Sequence, residues 1–183
     1  SFRDHAADLQ TPMFAGWNFR INEILSAILR VQLTRLDGML DAMLTEKRTI
    51  INELEGAGPF IFNPINDVEG DCGTTLGLMF EDEPTMRAFL DGCKDAGVRA
   101  DTPIDSGRHV YTNWEPIMDR LGSHNPAFDA YQLADVPVEY TVDMCRRTLD
   151  ILSRTAYLYS DPERSREDLD AMIENVKAAA GRL

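Results

Sequence analysis

The chain has 183 residues, 44% of them hydrophobic, which is enough for one cored domain or for a core domain with an appended helical arm. A formal charge of −13 and a pI near 4.5 argue against nucleic acid or an anionic membrane as partner, because no basic run offsets the repulsive field. No apolar run approaches the roughly 18 residues of a membrane span, and no basic-then-apolar leader opens the chain.

Cys72, Cys93 and Cys145 are odd in number, widely spaced and without a CxxC pair. They fit reduced thiols of a cytoplasmic protein better than a disulfide framework or a zinc site. The opening Ser1-Phe2-Arg3-Asp4-His5 is polar and irregular, and reads as an entry in mid-protein. The only lysines, Lys47, Lys94 and Lys177, fall at positions that suit a solvated helix face.

The first informative run is Gly16-Trp17-Asn18-Phe19-Arg20-Ile21-Asn22-Glu23. Gly16 allows a turn, Asn18 offers an amide and Arg20 a planar cation, ahead of a helix whose first amides attract anions. Two readings stand side by side: a phosphate-facing corner, or an ordinary turn before a capped helix. Asn22 is a good N-cap and Glu23 suits the positive first turn. Apolar residues at Ile24, Leu25, Ile28, Leu36, Leu40, Met43, Ile50, Ile51 and Leu54 then hold helical spacing. The spacing predicts one long helix to about Glu55, bent near Gly38 and stopped by Gly56-Ala57-Gly58-Pro59.

Beyond Pro59, Phe60–Phe62, Thr74–Phe80 and Val98–Thr102 read as strands. Between the last two lies an amphipathic helix with Asp82 or Glu83 at its cap, Pro84 in its first turn, Met86, Phe89, Leu90 and Cys93 on one face and Gly97 past its end. That order suits a small two-layer lobe. A loop-rich stretch, 103–137, follows. Two helices close the chain: one capped by Thr141 with Val142, Cys145, Leu149 and Leu152 inward, then, after an extended Ala156–Tyr159, one opened by Ser165 with Leu169, Met172, Ile173 and Val176 inward. The expected division is 1–55, the end of a larger domain with the linking helix, and 56–183, a small C-terminal α/β domain.

Residues 16 to 37, from Gly16 through Asn18, Arg20, Glu23, Ala27, Gln32, Leu33 and Leu36 to Asp37, closely resemble a segment of the DegT/DnrJ/EryC1/StrS aminotransferases. Their pattern there is roughly Gly-Tyr-Asn-x-Arg-Met-(Ser/Thr)-(Glu/Asp)-x-x-Ala-Ala, later Gln-Leu-x-x-Leu-Asp. Trp17 stands where the family usually has Tyr, which removes any contact made through a phenol.

The resemblance implies an α/β chain with a mixed α+β lobe, the C-terminal part of the aspartate aminotransferase type, or fold type I, of pyridoxal-phosphate enzymes. It implies a homodimer with active sites at the subunit interface, pyridoxal 5′-phosphate as cofactor, and amination of a keto or aldehydo sugar with glutamate or glutamine as donor. Asn18 and Arg20 would reach the cofactor phosphate of the neighbouring subunit, a role that suits both donors chemically.

In the loop 105–116, Arg108, His109, Tyr111 and Trp114 are the candidates for substrate contact, Arg108 for an acidic group. Set against that, His109 suits a loop hydrogen bond and Trp114 a core plug; His5 and His124 read as surface residues. In the family the Schiff-base lysine lies upstream of this segment, and no lysine here sits in a matching context. The chain is thus expected to be the C-terminal half of such an enzyme, inactive alone. A pyridoxamine-phosphate dehydratase of the same fold and a non-catalytic interaction module are the alternatives.

Overall fold

The computed structural model describes residues 21–107 and 109–183. The chain divides into two compact units: one takes in Ile21–Pro103 and Asp150–Leu183, the other Ile104–Leu149.

The first unit begins with helix α1 (Glu23–Leu33), capped by the Asn22 side chain, which accepts the Leu25 N–H at 2.8 Å. Helix α2 (Leu36–Leu54) follows. The single bent helix expected from the pattern is therefore two. The break falls at Thr34 and Arg35 rather than Gly38. There the N–H groups of Thr34 and Arg35 bond back to Val31 and Gln32, three residues away, and the Thr34 hydroxyl takes the Val31 carbonyl at 2.7 Å. These contacts tighten the turn. Gly38 lies inside α2 in open space. The apolar stripe of α1 is exposed; Ile24, Leu25 and Ile28 all face solvent among the described residues.

Four antiparallel strands follow, in the spatial order β1 (Phe60–Phe62), β2 (Thr75–Phe80), β4 (Thr155–Tyr159), β3 (Ala100–Asp101). Since β4 pairs antiparallel with both β2 and β3, those two run parallel with β4 between them. Helix α3 (Glu83–Asp95) connects them. Its cap is Asp82, which accepts the Thr85 N–H at 2.8 Å, and Gly97 past its end takes a φ of 71°, where glycine avoids a Cβ clash. The third strand is shorter than expected. Val98 gives its N–H to Cys93 at the helix end, and the Thr102 hydroxyl turns to the Leu152 carbonyl.

The two-residue alternation of a strand puts Leu76, Leu78, Phe80, Ala156 and Leu158 on one face. Against them pack Ile50 and Leu54 of α2, Met86, Phe89 and Cys93 of α3, and Leu169, Ile173 and Val176 of helix α6 (Arg166–Ala180). Each such side chain removed from water contributes about 1.5–3 kcal/mol, so this face holds the unit together. Ser165 opens α6 as its sequence implies, accepting the Asp168 N–H at 3.1 Å.

The second unit is loop-rich. It contains 3-10 turns at Tyr111–Asn113 and Pro126–Phe128 and the short helix α4 (Glu115–Met118). The helix expected from Thr141 starts only at Arg146, as α5 (Arg146–Ser153). The Thr141 hydroxyl bonds the Asp143 carboxylate instead of a helix amide, and the Cys145 N–H is given to the Tyr111 hydroxyl at 3.2 Å. Val142 and Cys145, expected inward, are exposed, whereas Leu149 and Leu152 are half-buried.

Candidate functional site

Asn18, Arg20 and Arg108 lie outside the described residues. The other three candidates sit within one unit, on the stretch leading into α4. His109 is exposed, and its N–H is donated to the Ser106 hydroxyl at 3.2 Å. Trp114 is 46% exposed, so it is no core plug; its carbonyl starts α4 by accepting the N–H groups of Ile117 and Met118.

Tyr111 has a defined task. Its hydroxyl donates to the Val142 carbonyl at 2.8 Å and accepts the Cys145 N–H, tying the turn 111–113 to the segment that precedes α5. The phenol hydroxyl is thus engaged with backbone both as donor and as acceptor, and the residue is half-buried. Replacing Tyr111 with Phe should cost about 1–3 kcal/mol of local stability. Faster amide hydrogen exchange at residues 142–146, with the rest of the chain unchanged, is the expected readout; unchanged exchange there would count against the peg.

The charged groups that sequence reasoning missed lie on α2. Lys47, expected on a solvated face, is only 4% exposed and pairs with Asp71 at 2.5 Å. Its neighbour Glu46, also buried, pairs with the Arg164 guanidinium and accepts the Asp161 N–H at 3.3 Å. Two adjacent residues thus clamp two loops onto one helix: 66–73 through Asp71, and 160–165 through Asp161 and Arg164.

The first loop comes so close that Gly73, at φ 70°, leaves no room for a Cβ, which would lie 2.5 Å from the Leu44 nitrogen. Lys47, Asn63, Asn66 and Asp71 line an open groove beneath it. Glu46 and Lys47 occupy the same stripe as Ile50 and Leu54, so the helical period did carry a signal of burial; their charge masked it.

The electrostatics of the two clamps differ. The Lys47 ammonium, followed by the Gly73 N–H, holds the Asp71 carboxyl below its ordinary 3.8. Burial pushes the Glu46 carboxyl above its ordinary 4.5, outweighing the Arg164 cation that pulls it down. Of the remaining lysines, Lys177 bridges Glu53 and Glu174 at 3.0 Å each, and Lys94 is an exposed residue in the last turn of α3. No group of histidine, cysteine and carboxylate residues suited to a metal ion occurs among the described residues. Among the same residues no helix is long and apolar enough to cross a membrane. All three cysteines are free.

No family model matches the chain. It is similar to the 3-amino-5-hydroxybenzoate synthase of Amycolatopsis mediterranei (strain S699), with 30% identity over 120 residues, 63% of this chain and 29% of that protein. In three dimensions it is similar to a crystal structure of 3-amino-5-hydroxybenzoic acid synthase, with a TM-score of 0.61 and 20% identity, over 100% of this chain and 46% of that one. The chain therefore spans less than half the length of the relatives it matches. The fold class expected from the sequence is that of this likeness: fold type I of the pyridoxal-phosphate enzymes, here a small antiparallel sheet with helices, as in its C-terminal lobe.

Proposed function

We propose that this chain is the C-terminal part of a pyridoxal-phosphate-dependent aminotransferase of the DegT/DnrJ/EryC1/StrS type. The proposed reaction aminates a keto or aldehydo sugar, or a similar polyhydroxy ketone, with glutamate or glutamine as donor. One observation carries the proposal: the motif of residues 16 to 37 occurs in a chain that aligns at 30% identity with 3-amino-5-hydroxybenzoate synthase, a protein named for the amino group on its product.

The donor set fits the cofactor. An amide from Asn18 and a guanidinium from Arg20 are both suited to a phosphate dianion, the second in bidentate fashion. When bound, the cofactor supplies the electron sink and the amino group in transit. The chain's own residues bind and orient. In the proposed homodimer Asn18 and Arg20 hold the phosphate in the neighbouring subunit's site, and Arg108, His109, the Tyr111 ring and Trp114 face the substrate. Lys47 is locked to Asp71, Lys177 to two glutamates, and Lys94 stands on the exposed face of α3, so the lysine that anchors the cofactor is proposed to come from another part of the full-length protein. The site is proposed to work in the cytoplasm.

The test is cofactor retention by the full-length protein. Added pyridoxal phosphate should produce an aldimine absorbance band, and Asn18→Ala should weaken retention by about tenfold, the loss expected for one hydrogen bond to a charged group. Bound pyridoxamine phosphate without an aldimine band would turn the assignment to the dehydratase. No cofactor binding at all would turn it to an interaction module.

A further inference from the structure

The unit built on the sheet contains a second pocket, of about 240 Å³, and none of the residues that line it is assigned above to cofactor or substrate. Its walls are Arg99, Ser160, Asp161 and Arg164, and Leu158 and Met172 supply apolar lining. The volume is below the roughly 300–1,000 Å³ of sites for drug-sized ligands, which limits the occupant to a compact molecule.

Arg99 decides the chemistry. Its guanidinium lies 4.9 Å from the centroid of the Tyr159 ring, and among the described residues no carboxylate or carbonyl takes its N–H groups. Most basic side chains of the sheet-bearing unit, Lys47, Arg48, Arg87, Arg154, Arg164, Arg166 and Lys177 among them, are committed to a carboxylate. The Tyr159 ring holds the Arg99 cation over its face without taking its N–H groups, which are left for a ligand.

The platform is itself held: the Tyr159 hydroxyl donates to the Asp101 carboxylate at 2.6 Å. Arg164 is turned to Glu46 and to the Tyr159 carbonyl at 3.3 Å, so it braces the wall. The Ser160 hydroxyl has no partner among the described residues and adds a donor. Asp161, whose carboxylate accepts the Glu163 N–H at 2.9 Å, is the one opposing charge on the lining.

We propose that this pocket binds a small oxyanion, the carboxylate or phosphate of a compact metabolite, gripped by the Arg99 fork and the Ser160 hydroxyl while its apolar body rests on Leu158 and Met172. Calorimetric titration of the full-length protein with acetate and with inorganic phosphate, at fixed ionic strength, tests it. At least one anion should bind saturably. Arg99→Gln should weaken that binding at least about tenfold, and Asp161→Asn should tighten it about threefold by removing a like charge.

A preference for phosphate assigns a phosphate ester, and a preference for acetate a carboxylate; either supports the pocket. Because the comparison is between wild type and Arg99→Gln, any other phosphate site in the protein cancels. Absence of saturable binding by both anions, or equal affinity in the two proteins, overturns the proposal. If Arg99→Gln also lowers the unfolding midpoint, Asp161→Asn decides alone, and unchanged affinity there overturns it.

Discussion

Replacing Asp71 with Ala is expected to destabilise the protein by about 3–5 kcal/mol, because it leaves the Lys47 ammonium buried without its carboxylate. The Lys47 side chain is 5% exposed, so water cannot take over the lost contact. The double replacement Lys47→Met with Asp71→Leu should recover most of the loss, since two apolar groups of similar size need no charge compensation. Denaturant unfolding of the two variants beside wild type checks this; an Asp71→Ala variant as stable as wild type would show that the pair is not closed in solution.

The same clamp gives a pH signature. Asp71 is depressed in the folded state, chiefly by Lys47, so its contribution is present above the ordinary pKa of 3.8 and lost as pH falls through the folded value. Asp71→Asn should flatten that part of the acid limb. Glu46 has the opposite sign. Its folded pKa is raised by burial, so its contribution is full below 4.5 and declines as pH rises through the folded value. The carboxylates of the two clamps on α2, Glu46 on the helix and Asp71 on the loop that docks against it, therefore tilt the stability profile in opposite directions.

Phe89→Ala is expected to cost about 3–5 kcal/mol, the other large effect. Phe89 is fully buried on α3, with its ring centroid 5.1 Å from that of Phe80 and 6.2 Å from that of Phe60. Truncation removes the apolar contact and the ring interactions together and leaves a cavity between helix and sheet. Phe89→Leu should cost much less, because it refills most of that space. Thermal unfolding of both variants distinguishes lost volume from lost aromatic geometry: equal losses would mean that the ring arrangement, not the filling, matters.

Where local rules act alone, the sequence was sufficient. The Asp82 cap with Pro84 after it, the Met86, Phe89, Cys93 stripe, the Ser165 cap and the strands at Phe60 and Thr75 follow from neighbours within one turn or one pleat, and the structure has them in place. The motif from Gly16 to Asp37 likewise pointed to the fold class with no knowledge of packing. What only the tertiary structure decided depends on partners far along the chain. Lys47 and Glu46 became core residues because Asp71 and Arg164, 24 and 118 positions away, neutralise them. Arg146 became the start of α5, in place of Thr141, because a tyrosine 34 residues upstream claims the Cys145 amide. β4 entered the sheet between β2 and β3, a placement invisible to any window of local sequence. Helical and strand periods report which face of an element is apolar. A buried charge or a displaced cap is set by a bond across the fold, and the free energy of that bond appears only when both ends have been brought together.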